Sequence, residues 1–308
     1  MLESASKVNR ILTAGRDQIY LFENGPADTS NDPEEIKNIP GCTGFMPHII
    51  VQIYEIQTPR EADQMVQLGV DRIGSVLTSA ENWKMSGIRD TIDTVRACGA
   101  QSSLIPLFTE PETIFQAIEY YRPDYVHFCE TLADADGISP ACRCLLSLQK
   151  EVKSRFPQTG IMRSIPIGPP GSADRIPTLE LARMFEPDSD CFLTDTFLIK
   201  ASSGPSDVQP VSGFVGITGK TCDWPTAARL VRETRIPVVL AGGISPENVY
   251  DGIISVRPQG IDSCTQTNAS GADGNPVRFK KDHRRVKLLV ESVRKAQRAV
   301  SCPEVDNG

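Results

Sequence analysis

The sequence has no stretch approaching 18 consecutive apolar residues and no pair of cysteines at zinc-knuckle spacing. Basic residues are also in the minority. Its 39 Asp+Glu outnumber 32 Lys+Arg, a net charge of −7, which removes support from a nucleic-acid or membrane-surface role. The lack of a long apolar run argues against a membrane-spanning helix. The opening segment MLESASKVNRILTAGRDQ lacks the apolar core of a leader, so a soluble, unprocessed, cytoplasmic protein is expected. The nine cysteines are scattered, and the closest pair, Cys142 and Cys144, has no companions at metal-ligand spacing, which points to reduced thiols rather than disulfides. What is present is an ordinary globular composition, with 40% hydrophobic and 23% charged residues over 308 positions. Disorder, collagen and coiled coil are thereby excluded as overall descriptions. Length allows two domains or one large α/β barrel with an extension.

The order of elements chooses the barrel. Short apolar runs at 49–55, 72–78, 101–108, 125–130, 160–165, 191–196, 237–242 and 260–265 alternate with amphipathic stretches at 59–69, 87–98, 110–121, 139–155, 178–186, 223–234, 245–256 and 282–298. Thr58-Pro59 with Glu61, Glu110-Pro111-Glu112 and Ser245-Pro246-Glu247 put a proline and an acid where helix starts favour them. Eight β–α units in a row predict a single (β/α)8 TIM barrel over 49–299. Residues 1–48, polar and turn-rich, read as an N-terminal extension, and 300–308 as a tail. The Ser/Gly/Pro-rich segment 199–215 follows the sixth strand, so it reads as a long loop on the C-terminal face, where barrels build their sites. The basic stretch 278–287 opens the last helix, where its charge opposes the helix dipole and suggests an acidic partner or a subunit contact.

Ala241-Gly242-Gly243 closes the seventh strand ahead of a helix, leaving backbone amides free of side-chain bulk, a recipe for holding phosphate. Gly219-Lys220-Thr221 resembles the end of a P-loop, but the preceding glycines stand at 213 and 216, the wrong spacing for nucleotide hydrolysis. Four motifs then recur in order: Asp195-Thr196, residues 216–224 (GITGKTCDW), residues 240–249 (LAGGISPENV) and residues 256–262 (VRPQGID). Together with residues 58–63 (TPREAD), this set resembles the phosphoribosylanthranilate isomerase family, strongly from Asp195 to Asp262 and weakly before it. The resemblance implies a phosphate grip from Gly219, Lys220, Gly242, Gly243 and Thr265, with Asp195 as the acid that protonates an opening ribose ring. It implies no cofactor.

The other half of that family's site is altered. The strand-1 cysteine that serves as general base is replaced by Tyr54, and the glycine after it by Glu55. A tyrosine's ordinary pKa of about 10, against about 8.5 for cysteine, makes Tyr54 a weak base near neutrality. The family's arginine after strand 2 falls at Trp83, with Lys84 as a neighbouring cation. His127-Phe128-Cys129-Glu130 replaces Gln-Leu-His-Gly on strand 4, Arg163 replaces a lysine on strand 5, and residues 264–268 (CTQTN) replace Ser-Ser-Gly-Val-Glu after strand 8. Strand alternation puts His127 and Cys129 on one face and Phe128 and Glu130 on the other. His127 reads as structural, and His48 and His283 are assigned no role.

Tyr54, Glu55, Glu130 and Asp195 are therefore the expected catalytic set, with Arg163, Cys129 and Lys84 as further substrate contacts. The expected activity is isomerisation, or a related acid/base proton transfer, on a small phosphorylated metabolite other than the family's. Glu55, Glu130 and Asp195 would alternatively hold a divalent metal. Two further alternatives are a non-catalytic barrel that binds a metabolite or protein, and a true phosphoribosylanthranilate isomerase with a replaced base. Neither nucleic acid nor membrane is an expected partner, and the oligomeric state is not assigned.

Overall fold

The structure, a computed structural model, describes residues 48–134, 136–198 and 211–301. The expected N-terminal extension, apart from its last residue, and the first part of the strand-6 loop lie outside the described residues. Eight parallel strands, Ile50–Ile53 (β1), Arg72–Leu77 (β2), Gln101–Pro106 (β3), Tyr125–Phe128 (β4), Gly160–Ile167 (β5), Cys191–Thr196 (β6), Val238–Leu240 (β7) and Gly260–Ser263 (β8), close into a barrel through the β1–β8 pairing. The helices are Pro59–Gln67 (α1), Ser86–Ala97 (α2), Pro111–Tyr121 (α3), Cys142–Arg155 (α4), Thr178–Phe185 (α5), Trp224–Glu233 (α6), Val249–Val256 (α7) and His283–Ser301 (α8). This is the (β/α)8 architecture that the pattern predicts.

Local chemistry explains the boundaries. Thr58 caps α1 by accepting from the Glu61 amide at 3.3 Å, and Asp223 caps α6 by accepting from Thr226 at 2.9 Å. α7 begins at Val249 rather than Ser245. Asn248 accepts from the Ser245 amide and donates to the Gly243 carbonyl, holding residues 243–248 in turns before the helix can start. β1 stops at Ile53 because Glu55 takes a left-handed conformation, φ 64°. Two elements were not anticipated: a small hairpin, Ala133–Asp134 with Gly137–Ile138, before α4, and a longer one, Asn268–Ser270 with Pro276–Lys281, between β8 and α8.

Alternation along the strands separates two interiors. Val51, Ile53, Ile73, Ile165, Phe192, Leu240 and Ile261 belong to a buried apolar cluster with α1 and α5–α8, while Leu104, Val126, Phe128 and Ile161 pack with α2–α4. The lumen is polar by comparison. Gln52 donates to Asp262 at 3.1 Å, Arg72 donates to Gln52 at 3.3 Å and to Gln101 at 2.9 Å, and its guanidinium lies 4.1 Å from the Tyr125 ring centre. Nearer the mouth, His127 bridges the Tyr54 hydroxyl (2.7 Å) and the Ser164 hydroxyl (2.8 Å), and Tyr54 also meets Ser103 at 2.6 Å. Every buried polar group in this column therefore has a partner, as a low-dielectric interior requires.

Candidate active site

A cleft with an empty volume of about 350 Å³, partly open to solvent, lies at the C-terminal ends of β6, β7 and β8. Asp195, residues 217–219, 241–244 and 262–266 line it. Three of its glycines adopt left-handed conformations: Gly219 at φ 64°, Gly242 at 88° and Gly243 at 63°. Their lack of a side chain is required by packing as well as by backbone. A Cβ on Gly243 would stand 2.6 Å from the Lys220 and Thr221 backbone, and one on Gly242 2.5 Å from the Thr196 hydroxyl. Thr196 donates to the Lys220 carbonyl at 2.6 Å, and Gln266 donates to the Gly219 carbonyl at 2.9 Å, stitching the end of β6 and the loops after β6 and β8 together. Gly219, Gly242, Gly243 and Thr265 thus meet at one cleft. Lys220 contributes its backbone to this stitching, and its amide donates to the Thr218 hydroxyl; the residue itself is exposed and outside the cleft lining.

Two carboxyls face the cleft, Asp195 from the end of β6 and Asp262 from β8. Burial pushes Asp195 up to about 7, against which the Thr196 amide hydrogen bond acts. Asp262 is likewise pushed up to about 7, first by burial and then by the Asp195 charge, with the Gln52 hydrogen bond opposing. Asp262 ends a motif read in the sequence but received no role there. The available signal was a charged residue at a lumen-facing position of an otherwise apolar strand. Gly216 was also passed over as a site residue. Its φ is 101°, and a Cβ there would fall 2.1 Å from the Asp195 Oδ2, so only glycine lets this loop close over the carboxyl.

The remaining expected residues do not join Asp195. Glu55 accepts from Arg278 at 2.6 Å, from Asn268 at 3.4 Å and from the Phe279 amide at 3.3 Å, so it is committed to the hairpin after β8. Glu130 pairs with Arg163 on the outer side of β4 and β5, where Arg163 also donates to Gln149 of α4 and lies between the Phe128 and Phe185 rings. Both residues stand just past their strands, and their arginine partners commit them to the hairpin and to the helix layer rather than to the cleft. Tyr54 does lie in the lumen, but burial raises its phenol well above the ordinary tyrosine value, which corrects its assignment as a base. Burial raises the Cys129 thiol in the same way. It lowers His127 to about 3, so the imidazole is neutral, in keeping with a structural role. Lys84 is exposed and sits 4.9 Å from the Tyr120 ring centre, outside the lining of the cleft. Among the described residues no group of three or more His, Cys, Asp or Glu is placed to hold a metal ion, and no helix is long and apolar enough to cross a membrane. Glu55, Glu130 and Asp195 accordingly do not form the carboxylate cage considered from the sequence.

No protein-family model matches the chain. It is 27% identical over 253 residues to an N-(5'-phosphoribosyl)anthranilate isomerase of Methanocella arvoryzae, covering 79% of this chain and 97% of that one. The barrel superimposes on the phosphoribosyl anthranilate isomerase of Thermotoga maritima with a TM-score of 0.56 and 20% identity, over 80% of this chain and all of that one. A solved structure of phosphoribosyl anthranilate isomerase in complex with reduced 1-(o-carboxyphenylamino)-1-deoxyribulose 5-phosphate gives a TM-score of 0.55 at 20% identity, again over 80% of this chain and all of that one. At that identity the structural likeness establishes the fold. Sequence similarity over nearly the whole length of the Methanocella relative, together with the shared eight-stranded barrel, makes phosphoribosylanthranilate isomerases the proteins that this chain resembles along most of its length.

Proposed function

We propose that the chain is an isomerase of a small phosphorylated sugar, with Asp195 and Asp262 as its acid/base pair and the Gly219, Gly242, Gly243 and Thr265 cleft as its phosphate grip. The observation that carries this is the pair of carboxyls at one cleft, both held near neutrality. With both carboxyls pushed up to about 7, one can hold a proton near neutrality while the other is ionised. That state suits an aldose-to-ketose conversion. Asp195 gives a proton to the ring oxygen as the ring opens, and the Asp262 carboxylate removes the proton from C2. Asp262 then delivers that proton to C1 of the resulting enol while the C2 hydroxyl gives its proton to the Asp195 carboxylate, which leaves the C2 ketone and returns the pair to its starting state. In this reading Tyr54, held by His127 and Ser103, shapes the lumen and moves no proton. The relatives' name and the sugar 5-phosphate seen in the solved complex support a phosphorylated substrate.

Solvent-deuterium incorporation at C2 of ribose 5-phosphate and of N-(5'-phosphoribosyl)anthranilate, followed by NMR, tests the reading. Asp195→Asn and Asp262→Asn should each lower turnover by about 10²-fold or more while leaving phosphate-ligand affinity within a few-fold. Turnover that survives both substitutions would reject the carboxyl pair. Ligand binding without exchange in the wild-type chain would instead favour a binding protein on the same barrel.

A further inference from the structure

The cleft occupies only one side of the barrel mouth, and two loop contacts account for what covers the other. Lining residues come from the ends of β6, β7 and β8 and their loops. Across the axis, the Tyr54 ring lies directly on Gly74 of β2, where a Cβ would stand 2.0 Å from the ring. Tyr54 belongs to a buried cluster with Val76, Met162, Leu193 and Val239, onto which Ile105, Leu107 and Phe279 pack. Phe279 arrives on the hairpin that follows β8. Its φ is 60°, an uncommon conformation for an aromatic residue, and its amide is held by the same Glu55 carboxylate that pairs with Arg278. From the opposite flank, residues 213–215 run antiparallel to the end of β4: Thr131 donates to the Gly213 carbonyl and Val215 to the Cys129 carbonyl, each at 2.8 Å.

A substrate gripped by its phosphate at β7 and β8 must extend any substituent on its far carbon across the axis, toward β1–β4. There it would meet Phe279 and Tyr54. We infer that this chain takes a compact sugar phosphate and rejects one bearing an aromatic substituent, with Phe279 as the residue that excludes the ring. The inference rests on the phosphate grip proposed above. Glu55 acts at one remove, by holding the hairpin that carries Phe279.

Calorimetric titration of the full chain with ribose 5-phosphate, and with reduced 1-(o-carboxyphenylamino)-1-deoxyribulose 5-phosphate, tests it. The wild-type chain should bind the compact ligand at least about tenfold tighter than the aromatic one. Phe279→Gly accepts the left-handed backbone and removes the ring; it should tighten the aromatic ligand by about tenfold or more while changing the compact one by less than about threefold. Arg278→Ala, at a partly exposed position, loosens the hairpin without touching the lumen and should shift the preference in the same direction. Equal wild-type affinity for the two ligands, or no gain for the aromatic ligand in Phe279→Gly, overturns the exclusion and leaves the phosphate grip standing. Failure of both ligands to bind the wild-type chain overturns the grip and the exclusion together.

Discussion

The two sides of the barrel mouth use charge in opposite ways. At β6–β8, Asp195 and Asp262 face a cleft and, among the described residues, neither forms an ion pair, and burial pushes both up to about 7. On the β1–β4 side, Glu55 and Glu130 each meet an arginine, and each is almost completely buried. The first arrangement leaves protons to exchange. The second spends its charges on holding loops and helices in place. A carboxylate at a barrel mouth is therefore informative only together with the direction its strand or loop gives it.

Breaking the pair on the closed side should have the largest effect. Arg163→Met leaves Glu130 buried and uncompensated, and should cost about 3–5 kcal/mol in urea denaturation. Combining it with Glu130→Met should recover most of that loss, because an apolar pair of similar volume tolerates burial. On the cleft side, Gly243→Ala forces a Cβ into the Lys220 and Thr221 backbone at a left-handed position. A cost of about 1–3 kcal/mol is expected, together with weakened binding of inorganic phosphate, read by calorimetry.

Acidity sharpens the comparison, since the two sides should respond to pH with opposite sign. Asp195 and Asp262 keep their protons in the folded chain up to about 7, whereas the unfolded chain releases them near 3.8. Their stabilising contribution is complete below pH 3.8 and is lost as pH rises toward 7. His127 stays neutral in the folded chain down to about 3, against 6.5 ordinarily. Its contribution is complete above pH 6.5 and is lost as pH falls toward 3. Denaturation midpoints from pH 4 to 8 should therefore fall less steeply with rising pH in Asp195→Asn and Asp262→Asn, and less steeply with falling pH in His127→Asn. The smallest effect is expected from Glu55→Gln, about 1 kcal/mol, because Arg278 is 39% exposed and regains water. Faster amide exchange across 268–281 would be its signature.

Much of this was legible from the chain alone. The alternation of strand and helix signals predicts the barrel, and Asp195 and the paired glycines stand out because each follows a strand at a recognisable motif. Asp262 was within the motifs but carried no separate mark. The partners of Glu55 and Glu130 were hidden for a geometric reason. Arg278 is 223 residues from Glu55, on a hairpin whose strands have weak patterning, and Arg163 is 33 residues from Glu130 on a neighbouring strand. Strand alternation already separates Glu130 from His127 and Cys129, yet the positions of Glu55 and Glu130 beside residues that the resemblance marks as functional suggest a shared site for all the acids at the mouth.

Sequence by itself determined the eight-unit barrel and the place of the phosphate-type turns, because these depend on local periodicity and on residues adjacent in the chain. Only tertiary structure decided which acids face the cleft and which hold loops, since a carboxylate's role depends on the charges and desolvation that distant segments bring to it.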